Sequence, residues 1–245
     1  MENLTDLFNI NNGDIVSIIG SGGKTSLLFK LAKELKDNFR VLVSTSTRIR
    51  KPHKNDYDNL YTSVDSFLNN NKINHNGITV ISRDLNSETN KLIGIDDNDL
   101  DILIPYFDII LIEADGSKEL PLKGWKKHEP PVLNNTTKTI GIFPANYINK
   151  KKNRDLIYGF DEFNILTDNC EYINFEAIGK ICSNKDGIFK NSRGKLYLFL
   201  NKADTEVEIN ISKELCKYLK KNIVNNPYDF EICFGSLEKG EYYEC

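Results

Sequence analysis

Residues 14–26 read DIVSIIGSGGKTS. A short apolar run ends at glycine, three glycines fall within four positions, and Lys-Thr follows. Leu27, Leu28, Leu31 and Leu35 then recur at the 3-4-7 spacing of an amphipathic helix, so the spacing predicts a helix over 24–37. The order is strand, glycine-rich turn, helix. Such a turn lets backbone N–H groups face an anion, and the positive end of the helix dipole adds to it. Gly20, Ser21, Gly22, Gly23, Lys24, Thr25 and Ser26 are therefore read as a phosphate loop. Lys24 would reach the distal phosphates and Thr25 would ligate magnesium. The first glycine of the GxxxxGK[ST] pattern would fall at Ile18, so this loop is shorter than that pattern.

Working outward, strands and helices alternate. VLVST at 41–45, ITVIS at 78–82, IILIE at 109–113, TKTIGIF at 137–143, KLYLFL at 195–200 and FEICF at 230–234 read as strands. Helices are expected near 63–70, from 96 onward, and over 174–182 and 208–221. KLIGI at 91–95 is expected to pair with 78–82, and the Asn-rich stretch 67–77 to end in a turn. The alternation implies an α/β fold, P-loop NTPase-like, with a mostly parallel sheet and helices on both faces. One domain over 1–245 is expected, with an insertion at 144–173, the least readable stretch.

Composition narrows the function classes. Of 245 residues, 40% are apolar, 27% charged and 10% aromatic, which excludes a wholly disordered chain. The net charge of -3 advertises neither a nucleic acid nor a membrane partner. No apolar run is long enough to span a bilayer, and the first residues lack the basic and apolar regions of a signal peptide. Five cysteines, none at CxxC spacing, read as reduced cytosolic thiols, neither a disulfide framework nor a zinc site.

The apolar strand 109–113 ends in Glu113, with Asp115 two residues on. Acids at the carboxyl edge of a parallel sheet sit where ligands bind and can hold magnesium or its waters. Beyond them Lys118, Lys123, His128 and Glu129 alternate with prolines in a switch or substrate loop, with His128-Glu129 a candidate acid/base pair. Lys24, Glu113, Asp115, Lys123 and His128 are the candidate catalytic set, and Thr25, Glu113 and Asp115 the candidate magnesium ligands. Thr45, Thr47 and Arg48 end the second strand with hydroxyls and a guanidinium suited to phosphate or substrate. Asn201, Lys202 and Asp204 form an N-K-x-D at a strand end, the arrangement that reads guanine in GTPases. With 30 Asn and 26 Lys in the chain, the tetrapeptide arises by chance about one time in four. Its position after a strand is what carries the base-binding reading.

Taken together, GSGGKTS, VSTSTRIRKP, KLIG, LIEADGSKELPLKGWKKHEPPV and LNKAD resemble the YqeC-like proteins, described as accessory factors for selenium-dependent molybdenum hydroxylases. The resemblance runs over most of the chain, and EADGSK…PLK…HEP is its most specific part. Ser26 stands where the family has threonine, and Thr45-Ser46-Thr47-Arg48 stand where it has TTTK, keeping hydroxyls and positive charge. The resemblance implies a cytoplasmic, nucleotide-binding maturation factor using Mg2+ with GTP or ATP. Its implied partner is a molybdenum hydroxylase or its cofactor. Two other readings stay open. The loop is also similar to the GTxGKT loop of peptidoglycan-building amide ligases, which suggests an ATP- or GTP-dependent ligase or phosphotransferase. A nucleotide-switched metallochaperone is the third. The signature lysine of the nitrogenase-iron-protein class would fall at Ile19 and is absent.

Overall fold

The computed structural model describes residues 3–70, 75–222 and 227–245. Its strands are β1 (Ile15–Gly20), β2 (Arg40–Thr45), β3 (Arg48–Arg50), β4 (Asn59–Tyr61), β5 (Gly77–Ile81), β6 (Asp84–Asn86) and β7 (Lys91–Ile93) in the first part of the chain. They continue as β8 (Ile109–Glu113), β9 (Leu122–Lys123), β10 (Lys138–Pro144), β11 (Ile157–Tyr158), β12 (Lys195–Asn201), β13 (Phe230–Ser236) and β14 (Glu241–Glu244). The helices are α1 (Leu4–Leu7), α2 (Lys24–Leu35), α3 (Val64–Asn70), α4 (Asp97–Leu103), α5 (Phe160–Leu166), α6 (Phe175–Ser183) and α7 (Glu206–Asn222).

Nine strands form one sheet in the order β14-β13-β12-β10-β1-β8-β2-β5-β4. Every pairing in it is parallel except that of the edge strand β14. Strand residues alternate between two apolar layers, as a pleated strand requires. Val16, Ile18, Val41 and Val43 pack with Leu27, Leu28 and Leu31 of α2. Ile15, Ile19, Leu42, Ile110 and Ile112 face the other layer, with Phe67 of α3, Leu100 of α4, Ile178 of α6 and Leu215 of α7. The chain is thus an α/β protein with helices on both faces of a mostly parallel sheet. Asp96 and Asp99 close a reciprocal capping box at the start of α4, which is why that acidic stretch begins a helix.

Two expectations change. Strand β7 does not pair with β5; it lies between β3 and β6 in a separate three-stranded sheet. Strand β5 already has β2 on one side and β4 on the other, so β7 has no place beside it. Second, Cys216 of α7 and Cys245 are joined as a disulfide, closing 29 residues, while Cys170, Cys182 and Cys233 are free thiols. Strand β13 packs against α7 and pairs with β14, which ends next to Cys245, and sequence spacing gives no sign of this pair. Part of the Asn-rich stretch 67–77 that is expected to end in a turn, residues 71–74, lies outside the described residues. Within 144–173, β11 pairs with β9, and Phe163, Leu166 and Ile173 are buried in the main apolar layer. No helix among the described residues is long and apolar enough to cross a membrane.

Candidate functional site

The parallel strands bring their carboxyl ends to one edge. Gly20 closes β1, Thr45 closes β2, Glu113 closes β8 and Asn201 closes β12. In the ladder Ile18 and Thr45 both lie opposite Glu113, so the glycine loop and the end of β2 flank that carboxylate.

The loop is shaped by positions that exclude a side chain. Gly20 has φ +89°, and a Cβ there would lie 2.3 Å from the Ile142 carbonyl oxygen. Gly23 has φ +136°, and a Cβ there would lie 2.4 Å from Asn201 Nδ2. Gly23 also precedes α2 without a side-chain cap, so the first N–H groups of a twelve-residue helix are left for another acceptor. Asn201 holds the loop from behind. Its Nδ2 donates to Gly22 O at 2.7 Å, and its Oδ1 accepts from Leu237 N–H at 3.1 Å.

Lys24 is buried, donates to Gly20 O at 2.8 Å, and sits 3.9 Å from Glu113 Oε1. The Thr25 hydroxyl donates to Glu113 Oε2 at 2.7 Å. Burial pushes the Glu113 carboxyl above the ordinary glutamate value, against the opposing pull of Lys24 and Thr25.

Asp115 takes a different place from Glu113. Its Oδ2 accepts from Gly20 N–H at 3.1 Å and from the Trp125 indole at 2.9 Å, and its Oδ1 pairs with Lys123 Nζ at 2.6 Å. Burial raises its acid constant too, offset chiefly by Lys123. Lys123 is fully enclosed. Besides Asp115 it meets Gly116 O at 2.5 Å and Glu129 Oε2 at 3.1 Å, with the Tyr158 ring 4.7 Å away. One hydrogen bond and two ion pairs hold it, and it anchors the loop after β8 to Asp115 instead of facing solvent. Asp115 in turn braces Gly20.

A cleft of about 990 Å³ opens over this edge. Gly22, Gly23, Lys24, Thr25, Ser26 and Glu113 line it, with Thr47, Arg48 and Lys202. Thr45 lies beneath, donating to Glu113 O at 2.7 Å, and Ser21 is buried in the loop. His128 is exposed on its turn and does not line the cleft, whereas Glu129 does, accepting from the Tyr158 hydroxyl. Asp204 lies beside Lys202, outside the cleft lining, with Oδ1 buried and without a hydrogen-bond partner among the described residues. Sequence reasoning passed over Arg50, Lys91 and Tyr158, which line the cleft from β3, β7 and β11. These strands have two or three residues each, too short a stretch for a periodic pattern to mark them.

These features define an α/β protein with an anion-ready glycine loop and an acid-hydroxyl pair at the carboxyl edge of its sheet. The model of the family described as YqeC protein matches residues 16–161, and the chain belongs to that family. It is similar to the YqeC protein of Escherichia coli strain K12, at 29% identity over 156 residues, 62% of this chain. The match spans 60% of that relative's length. No solved structure matches the chain significantly. The matched family stretch carries the glycine loop, Glu113, Asp115 and Lys123, and stops before Asn201.

Proposed function

We propose that this chain is a P-loop NTPase-like protein that binds a nucleoside triphosphate with Mg2+ and serves the maturation of a selenium-dependent molybdenum hydroxylase in the cytoplasm. The carrying observation is the Thr25–Glu113 hydrogen bond of 2.7 Å beside buried Lys24, at the mouth of a glycine loop opening a helix. The residues fit the ligand. A cradle that a Cβ would fill favours close approach of phosphate oxygens to the backbone. No group of three or more His, Cys, Asp or Glu among the described residues could hold a metal alone. That suits Mg2+, which prefers one or two protein oxygens completed by phosphates and waters. Thr25 and Glu113 would hold it. Bound there, Mg2+ would neutralise charge on the distal phosphates. The loop N–H groups orient the phosphates, and Lys24 carries a fixed positive charge against them. The Asp115–Lys123–Trp125 cluster keeps Gly20 in place. Asn201, Lys202 and Asp204 would receive the base, with Asp204 Oδ1 an acceptor still unused.

One observation favours group transfer over a bare switch. The cleft extends beyond the glycine loop to β3 and β7, leaving room for a second substrate. Calorimetry of GTP and ATP with and without Mg2+ tests the core of this reading. Lys24→Ala should lose triphosphate affinity by about tenfold or more, from one charge-assisted contact, and monophosphate affinity much less. Glu113→Gln should require more Mg2+ for the same nucleotide affinity. Equal losses for mono- and triphosphate, with unchanged Mg2+ dependence in Glu113→Gln, would return the loop to a structural turn.

A further inference from the structure

The cleft is basic in a chain that is acidic overall. Six basic side chains line it against three acidic ones, while the chain carries net charge -3. Lys24 belongs to the glycine loop and Lys202 to the end of β12. The remainder come from the small sheet and the loop after β8. In the antiparallel pairing of β3 with β7, Arg50 lies directly opposite Lys91 and Arg48 opposite Ile93. Opposed residues share a face, and Ile49 and Leu92 are buried beneath it, so Arg48, Arg50 and Lys91 project together from the upper face. Like charges directly opposite destabilise a sheet unless an anion offsets them. Arg50 has such an anion: Glu119 accepts from its Nε and Nη2 at 2.8 and 2.9 Å. Arg48 and Lys91 have no ion-pair partner among the described residues.

The loop after β8 completes the wall. Lys118 and Glu119 are consecutive non-glycine residues at positive φ, +49° and +67°, a conformation that costs free energy and collects at ligand sites. The Glu119–Arg50 clamp holds that strained turn against the small sheet. Lys118, without an ion pair among the described residues, is left at the cleft near Tyr158, 5.8 Å from its ring centre. The small sheet follows β2, and β2 is two strands from β1 in the sheet order. At the usual strand spacing that is roughly 10 Å along the edge, more than one phosphate group spans.

We propose that Arg48, Lys91 and Lys118 form a second ligand site in the cleft, which takes the phosphate monoester of a small-molecule second substrate while the nucleotide occupies the glycine loop. The inference rests on the nucleotide reading above and names the class of the other substrate. Three cations that line one cleft, with no ion pair among the described residues, match a dianionic oxyanion, and a guanidinium supplies the fork that binds one bidentately.

The test titrates methyl phosphate, and separately inorganic phosphate, into the full chain saturated with Mg2+ and a β,γ-imido nucleotide. Methyl phosphate should bind at one site. Arg48→Ala, Lys91→Ala and Lys118→Ala should each weaken it by about tenfold, as loss of a charge-assisted contact predicts. Affinity for the imido nucleotide should stay within about twofold in those variants, because they lie outside the glycine loop. Arg48 and Lys118 are exposed and Lys91 is half-buried, and circular dichroism checks that each variant is folded. Binding of inorganic phosphate without methyl phosphate would make this a product-release site and overturn the proposal. So would methyl phosphate binding that ignores all three substitutions, or nucleotide affinity that falls as far as methyl phosphate affinity. If no nucleotide binds while methyl phosphate still depends on the three cations, the nucleotide reading fails and the second site stands. If nucleotide binds and methyl phosphate does not, the second site fails alone.

Discussion

Lys24 and Lys123 are both buried, yet only Lys24 lines the cleft. Lys24 makes one hydrogen bond and a long approach to Glu113, whereas Lys123 meets Asp115, Glu129 and Gly116 O together. The sequence separates these two only partly. Lys24 stands next to the glycines in a contiguous motif, so its role is local and readable. Lys123 and Asp115 are eight positions apart, and their pairing arises from the return of the loop after β8. For the same reason the alternation of Glu113 and Asp115 suggests two equivalent acids, while the structure turns one to Thr25 and the other to Gly20 and Trp125. The Lys123–Asp115 pair sets up a stability prediction. Lys123→Met leaves a buried carboxylate unpaired and should cost about 3–5 kcal/mol. Adding Asp115→Asn should recover part of that loss, since the uncompensated charge is gone. Urea unfolding of both variants checks it, and a double variant less stable than the single would show that the two side chains are not coupled as a pair.

Elements with a long apolar pattern were legible, and short ones were not. Strands β1, β2, β8, β10 and β12 declare themselves by five to seven residues of buried sequence. Strands β3, β6, β7, β9 and β11 have two or three residues each, too few for any period to show. That is why β7 was assigned to the wrong neighbour and the basic face of the small sheet escaped notice. Between β2 and β8, parallel register is pinned by Arg40 and Asp108. Arg40 donates from its backbone N–H, Nε and Nη2 to that one carboxylate. The Arg40 guanidinium beside it holds the Asp108 carboxyl below the ordinary value of 3.8. A carboxylate depressed in the folded state stabilises above its unfolded value and loses that contribution as pH falls through the folded value. Both side chains are partly exposed, so Asp108→Asn should cost about 1 kcal/mol near neutral pH. The gap between wild type and variant should close below about pH 4, where the unfolded carboxylate takes up its proton. Denaturant midpoints across that window report it, and a gap independent of pH would remove the ion pair from the stability of this ladder.

At the scale of the molecule, the candidate site is assembled from distant parts of the chain. The glycine loop, Glu113 and Asn201 meet only because β1, β8 and β12 end at one edge, an architecture legible from the alternation of strands and helices. The segment Asn201-Lys202-Ala203-Asp204 lies outside the matched family stretch, so the base-binding role proposed for it is tested independently. If Asp204 pairs with guanine, wild type should prefer GTP to ATP, since a carboxylate accepts both the ring N–H and the exocyclic amine. Asp204→Asn should then shift preference from GTP towards XTP. Competition of the three nucleotides decides it, and a wild-type preference for ATP would leave Asn201-Lys202-Ala203-Asp204 as a strand end that only braces the loop. Trp125, the chain's single tryptophan, is buried against Asp115, whose same oxygen also accepts from Gly20. One atom therefore stands between the indole and the glycine loop. The protein carries its own fluorophore at the place where a ligand would first be felt, and a change in intrinsic emission, recorded on unlabelled protein, would report ligand arrival in real time.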